Sequence, residues 1–409
     1  PIEYLAGQPG YTDVLSDAGY RCGISGKWHL GGSQIAQKSF DHWFVTPEGA
    51  GSFVDPRVVR RDDVDITVES GYLSEIITND AIAFIDRASK AGQPFYCSVH
   101  YTAPHSPWLN QHPKEYLDLY DDCAFTSCPQ EPVHPGMLFS DFQFSKMIAG
   151  IPQDQPVAVE EFLKGYFASV TAMDAQIKRI IDRLDALGLR ESTLIFFLSD
   201  NGFNCGHHGI WGKGNSTFPL NLYDTSVKVP AIASHPGRIP AGRVVDSLVS
   251  GYDVAPTLMD YLGLQMPGDP RLPGRSLVPL LEGDESNGEE FVVVYDEYGP
   301  NRMIRTKEWK YIHRHPYGPH ELYDLIADPG ESRNLLDPID EREYRHSLGR
   351  TTEIARRLKA DLDSWFLLYA DPSVDGAREG VSGRGQMTFA GPRGKGLQAW
   401  RARSRQAYG

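Results

Sequence analysis

The sequence is poor in cysteine, with only Cys22, Cys97, Cys123, Cys128 and Cys205 among 409 residues. An odd, sparse set without a CxxC pair excludes a disulfide-built scaffold. Cys123 and Cys128 are near enough in sequence to bridge locally in an oxidising compartment, but the five are read as free thiols. No apolar run approaches the roughly 18 residues that span a bilayer. Basic side chains are outnumbered, 40 to 54, for a net charge of −14. That argues against a nucleic-acid partner, because phosphate binding wants a basic face. It leaves an anionic substrate open, since a few local cations can dominate one pocket. The chain has no initial Met and no signal-like segment. It starts at Pro1 in the middle of a pattern, "YTDVLSDAGYRCGISGK", which reads as a helix end, a turn and a strand. The expectation is that material precedes residue 1, so the compartment is unknown from this sequence.

What is present is an ordinary globular composition, 41% hydrophobic and 23% charged, in a length that suits one large unit and one small. Apolar runs at residues 21–25, 95–99 and 194–198 read as buried strands of a parallel sheet. Helical patterns occupy residues 74–91 and 166–187, the latter with Val170, Met173, Ile177, Ile180, Ile181 and Leu184 on a 3.6-residue period. Another helix lies within residues 249–263. Residues 121–136 and 150–156 read as long loops, and the stretches 40–64 and 121–151 as pocket-shaping ones. Strands are expected in residues 291–298 and 303–314, with a turn near 306–308, then a helix over 353–367. The predicted fold class is α/β, a mostly parallel central sheet sandwiched by helices over residues 1–285. A small C-terminal α+β subdomain follows over 286–370. Residues 371–409, with seven basic and three acidic side chains, read as an extended basic tail.

Polar clusters follow each of the three strands, where open α/β sheets bind ligands. After the first, "SGKWHLGG" offers Lys27 and His29; after the second, "VHYTAPHSPW" offers His100 and His105. After the third, "LSDNGFNCGHHGIWGKG" offers Asp200, Asn201, His207, His208 and Lys213. Asp200 and Asn201 carry the hard oxygens that Ca²⁺ or Mg²⁺ takes; "SDNG" alone reads equally as an Asx-turn. Lys27 is a mobile point charge suited to a tetrahedral oxyanion; alone, its segment reads equally as a surface turn anchored by Trp28. His105 sits in a loop stiffened by Pro104 and Pro107, and could equally satisfy a loop carbonyl. His100, next to its strand, is read as structural.

The combination resembles the sulfatase family of the alkaline-phosphatase superfamily. "GYRCGISGKWHLG" is similar to the family's Gly-Lys-Trp-His-Leu-Gly signature. "SDNG", "GHHGIWGKG" and "LYDTSVKVPAI" resemble its later metal motif, its second lysine and the strand beyond. "ELYDLIADPGESRNL" resembles its C-terminal signature, and the resemblance covers roughly residues 10–370. It implies an alkaline-phosphatase-like fold and hydrolysis of sulfate esters by a formylglycine nucleophile. It implies that Asp200 and Asn201 ligate Ca²⁺ (Mg²⁺ in some relatives) and that Lys27 and Lys213 bind sulfate oxygens. His105 would assist the leaving group, and His29 would contact the nucleophile. The substrate would be a sulfated small molecule or a sulfated carbohydrate, in a periplasmic, secreted or lysosomal-type compartment. His208 has no secure role.

The sequence departs from the family at the nucleophile. Formylglycine is made from Cys or Ser in a Cys/Ser-x-Pro-x-Arg motif that precedes the Gly-Lys-Trp-His element, beyond a pair of aspartates that completes the metal site. No cysteine here fits. Ser234, in "SHPGR", fits the spacing but follows Lys213. Asp62–Asp63 and Asp121–Asp122 do not follow buried strands and are read as solvated or turn residues. The expectation is an incomplete catalytic half that binds metal poorly and turns over nothing by itself. A phosphodiesterase or phosphonate monoester hydrolase of the same superfamily, and a non-catalytic binder of sulfated glycans, remain as alternatives. Asn201 favours the sulfatase, because many phospho-specific relatives place His there.

Overall fold

The computed structural model describes residues 7, 9–49, 51–60, 63–265, 272–284, 288–296, 300–315, 318–337 and 341–370. The basic tail 371–409, the boundary at 285–286 and Asp62 lie outside the described residues.

Five strands make the main sheet: β1 (Arg21–Lys27), β2 (His42–Thr46), β3 (Arg57–Arg60), β4 (Asp63–Val68) and β5 (Phe95–His100), in the order β4-β3-β2-β1-β5. β1 runs parallel to both β2 and β5, while β2, β3 and β4 pair antiparallel. The sheet is therefore mixed. The short link between β3 and β4 leaves room only for a hairpin, whereas parallel neighbours need a crossover. These strands also replace the loop expected over 40–64.

The third predicted strand forms, but in a separate ribbon. β6 (Ile195–Leu198) starts a segment that continues through β7 (Asn204–Cys205) and β8 (Trp211–Gly212) to β9 (Ala231–Ser234), and β6 pairs antiparallel with β9. Side chains, rather than ladder hydrogen bonds, join β5 to β6. Phe95, Cys97 and Ile195 share one cluster with Phe84, Ile85 and Leu184. Val99 and Phe197 share another with Ile77 and Met173. β6, expected as a buried strand, is only half-buried, with Leu198 39% exposed, and its apolar run does not identify its partner.

The helix Leu73–Lys90 covers the sheet because Leu73, Ile77, Ala81, Phe84, Ile85 and Ala88 form one buried stripe. Glu75 in its first turn and Arg87 and Lys90 in its last complement its dipole. The helix Val159–Ala186 packs beside it through small residues, Ala168 and Ala172 among them, and Arg183 ion-pairs Asp86 at 2.7 Å. Gly26 permits the closest approach within the sheet. It has φ +117, and a Cβ there would lie 2.1 Å from the His100 carbonyl oxygen. We expect Gly26→Ala to cost at least about 3 kcal/mol, since strain and a backbone clash coincide. A urea-unfolding midpoint within error of the wild type would contradict this.

β10 (Val292–Tyr295), β11 (Asn301–Arg305), β12 (Trp309–Arg314) and β13 (Glu321–Asp324) form an antiparallel sheet in chain order. The helix Glu341–Tyr369, longer than predicted, seats Leu358, Leu362 and Phe366 against Val293, Ile304 and Tyr311.

Candidate active site

Lys27 is the last residue of β1 and His100 the last of β5, and Gly26 faces His100 in the parallel register. Both lie at the carboxyl edge of the sheet. Asp200 follows β6 by two residues and is close enough to Lys27 and His100 to shift both electrostatically. The carboxyl ends of β1, β5 and β6 thus meet, although only two of these strands share a sheet. Lys213, after β8, joins them: it lowers the pKa of Lys27, His29 and His105. Lys27, His29, His105, Asp200 and Lys213 form one electrostatic group.

Packing and backbone contacts position part of this group. Trp28 is buried, with its ring 5.0 Å from that of Trp43 and 6.3 Å from that of Phe40. The tryptophan anchors the turn, while Lys27 and His29 on either side stay accessible. His29 lies over Gly49, where a Cβ would come within 2.7 Å of the ring. His100 donates from Nδ1 to the Lys27 carbonyl at 2.9 Å and accepts at Nε2 from Ser98 Oγ at 2.6 Å. It is a structural histidine, and it holds Lys27. His105 donates from Nδ1 to the Ser106 carbonyl at 2.7 Å, which leaves Nε2 uncommitted to that carbonyl.

Burial, with Lys213 and Lys27 beside it, pushes His105 down to about 4. Burial lowers His29 as well, reinforced by Lys27 and Lys213. Burial lowers the Lys27 ammonium, opposed by Asp200 and aided by Lys213. Neutral imidazoles beside two ammonium groups and one carboxylate give the group an excess of positive charge. We expect the His105 ring to titrate near 4 in an NMR pH series. The sign follows: the unfolded chain takes up this proton near the ordinary value of about 6.5 and the native chain does not, so His105 costs stability as pH falls between those two values. A native pKa at or above the ordinary value would contradict it.

Asp141 escaped the sequence reading. It is the first residue of the helix Asp141–Ile148 and accepts from Ser106 Oγ at 3.1 Å, next to His105. Burial raises its pKa against Ser106 and Lys213. Nothing in "SDFQF" distinguishes this carboxylate from an ordinary helix start; only the fold brings it to Ser106.

Other candidates lie elsewhere or do something else. Ser234 ends β9 and pairs with Ile195 at the start of β6, the opposite end from Asp200, and is hydrogen-bonded to Arg190. His208, at φ +55, stacks on Tyr223 with centroids 3.7 Å apart. Asp121 is exposed and ion-pairs Lys164, and Asp63 opens β4. Asn201 is half-buried next to Asp200. Among the described residues, no group of three or more His, Cys, Asp or Glu side chains could hold a metal ion. Asp200 and Asn201 match Ca²⁺ in kind, as oxygen donors, but not in number, since that ion takes about 6–8 oxygens. They do not make a metal site by themselves.

A family model described as "Sulfatase" matches residues 6–264, and one described as "N-sulphoglucosamine sulphohydrolase, C-terminal" matches residues 206–358. The chain is similar to the N-acetylglucosamine-6-O-sulfatase of Bacteroides thetaiotaomicron, 26% identical over 425 residues, which cover 87% of this chain and 74% of that protein. It is also similar to the choline-sulfatase of Rhizobium meliloti, 28% identical over 379 residues, covering 83% and 70%. A protein solved in complex with its substrate D-glucosamine-2-N,6-O-disulfate shares the fold, with a TM-score of 0.72 at 24% identity over 91% of this chain and 84% of that one.

Proposed function

Because the chain belongs to the sulfatase family of sulfuric ester hydrolases, we propose that Lys27, Lys213, His29 and His105 bind and activate a sulfate ester. The observation that carries this reading is the convergence of both lysines on both imidazoles from separate segments. A sulfate monoester brings one negative charge, and attack at sulfur concentrates charge on its oxygens and on the departing alkoxide. Lys27 and Lys213 stabilise the first, fixed in place before the reaction. His105 serves the second. It rests neutral, and an arriving anion raises its pKa, so substrate itself favours the protonated form that can donate to the leaving oxygen. His29, beside the same two lysines, would contact the nucleophile.

The nucleophile proposed is a formylglycine, and no residue of this sequence stands in the family's motif in the family's order. The residues described here hold and orient the sulfate; by themselves they do not cleave it. Asp200 and Asn201 contribute to a divalent-cation shell, Ca²⁺ or Mg²⁺, that two donors do not complete. We expect a Ca²⁺ titration of residues 1–409 to show no tight stoichiometric site, and a submicromolar equimolar isotherm would contradict this. The substrate class is a sulfated small molecule or sulfated carbohydrate, in keeping with the activities for which the relatives are named. The test offers the natural gene product an aryl sulfate and an aryl phosphate diester. Preferential cleavage of the sulfate is expected; preference for the diester would overturn the assignment.

A further inference from the structure

Cys128 and Cys205 take no part in the chemistry above, yet the structure brings them together. Cys128 lies in the long loop that starts at Asp121, and Cys205 ends β7, on the hairpin that leads to Lys213. Both are buried in one cluster with Trp108, Phe125, Phe162 and Trp211, near enough for each thiol to shift the pKa of the other. The two backbones are laced around the pair. Gln130 Nε2 donates to the Cys128 carbonyl at 2.8 Å and to the Cys205 carbonyl at 3.1 Å. Trp211 Nε1 donates to Gln130 Oε1 at 3.0 Å, and the Glu131 amide donates to the Gly206 carbonyl at 3.3 Å. Cys123, which could bridge Cys128 locally by its place in the sequence, is exposed, and both are free thiols.

We propose that Cys128 and Cys205 form a redox-active dithiol site that a small peroxide oxidises to a disulfide, clamping the loop onto the hairpin that presents Lys213. Cys205 outweighs burial and lowers Cys128, so Cys128 is the more readily ionised of the pair and the attacking sulfur. Burial pushes Cys22 and Cys97 up to about 12, and neither has a second thiol beside it; Cys205 is raised as well, first by Cys128 and then by burial, and acts as the resolving thiol. The Cys128 thiolate attacks one peroxide oxygen, the O–O bond breaks, and hydroxide leaves with a proton as water. Cys128 is then a sulfenic acid. The Cys205 sulfur attacks the Cys128 sulfur, the S–O bond breaks, and hydroxide leaves with the Cys205 proton as a second water. Two thiols lose two electrons and two protons, and one peroxide becomes two waters. The oxidant must be small, because both sulfurs are nearly enclosed.

The test treats the native protein with hydrogen peroxide, then denatures, alkylates and maps its peptides. The expected product is a Cys128–Cys205 linked peptide, reversed by dithiothreitol, with a Tm several degrees above that of the reduced protein because the cross-link constrains the unfolded chain. A Cys123→Ser variant should give the same product. Recovery of Cys128 and Cys205 both alkylated would overturn the proposal. So would a Cys123–Cys128 link, or a sulfinic acid at Cys128 with Cys205 still free.

Discussion

Replacing Lys310 with methionine is expected to lower stability by about 3–5 kcal/mol, because it leaves Glu331 buried without a cation and Asp224 with Arg305 alone. Lys310 is fully buried in β12, and its ammonium lies 2.5 Å from Asp224 and 2.5 Å from Glu331 while donating to the Leu222 carbonyl at 3.1 Å. Burial pushes the Asp224 carboxyl up, but Lys310 and Arg305 outweigh it and hold it below its ordinary value. At Glu331 burial wins over Lys310, and the carboxyl is raised. The loss corresponds to a Tm drop of about 4–6 °C for a chain of this length. Adding Glu331→Gln to Lys310→Met should recover part of it, since the cost lies in the stranded charge rather than in the missing bond. A single variant within 1 °C of the wild type (roughly the resolution of such a comparison) would show that the network holds nothing.

The network reaches the site through the chain. Lys310, Arg305 and Arg314 of the C-terminal sheet grip the segment that includes Leu220, Leu222 and Asp224. Within the same segment, the Asn221 amide donates to the Gly214 carbonyl at 3.0 Å. The C-terminal sheet thus buttresses the turn that carries Lys213, and the second matched family region, residues 206–358, spans both.

Loss of either lysine is the second large effect. Lys27→Ala or Lys213→Ala in the natural gene product should cut turnover of an aryl sulfate about 10²–10³-fold, the range found when one preorganised donor to a developing oxyanion is removed. Stability should change little at Lys213. The two cations lower His105 together, so either variant should also move its pKa back toward the ordinary value. Loss of turnover without that movement would place the lysine away from His105 and contradict the shared site.

Motifs were the most legible part of this chain. Glycine-framed lysines and a Ser-Asp-Asn-Gly turn after an apolar strand are local features, and their residues do meet. Partnerships between distant segments were not legible. β6 read as a central parallel strand because its residues are apolar, whereas its ladder partner β9 is set by the return of the chain after residue 230. β3 and β4, rich in arginine and aspartate, read as loop because charged residues on an outer strand obscure the alternation. In the helix Val159–Ala186 the reading followed large apolar residues, while Ala168, Ser169 and Ala172 make the closest burial. Asp141 and the Cys128–Cys205 contact depend on loop paths that no sequence period encodes.

The central claim is that four cationic or imidazole side chains from three separate segments form one receptor for a sulfuryl group. A sulfate titration followed by the His29 and His105 ring resonances tests it most directly. The account predicts one saturable site that shifts both rings together, raises the pKa of His105 and disappears in Lys27→Ala and Lys213→Ala. Shifts that never saturate, or saturable binding that survives both substitutions, would contradict it.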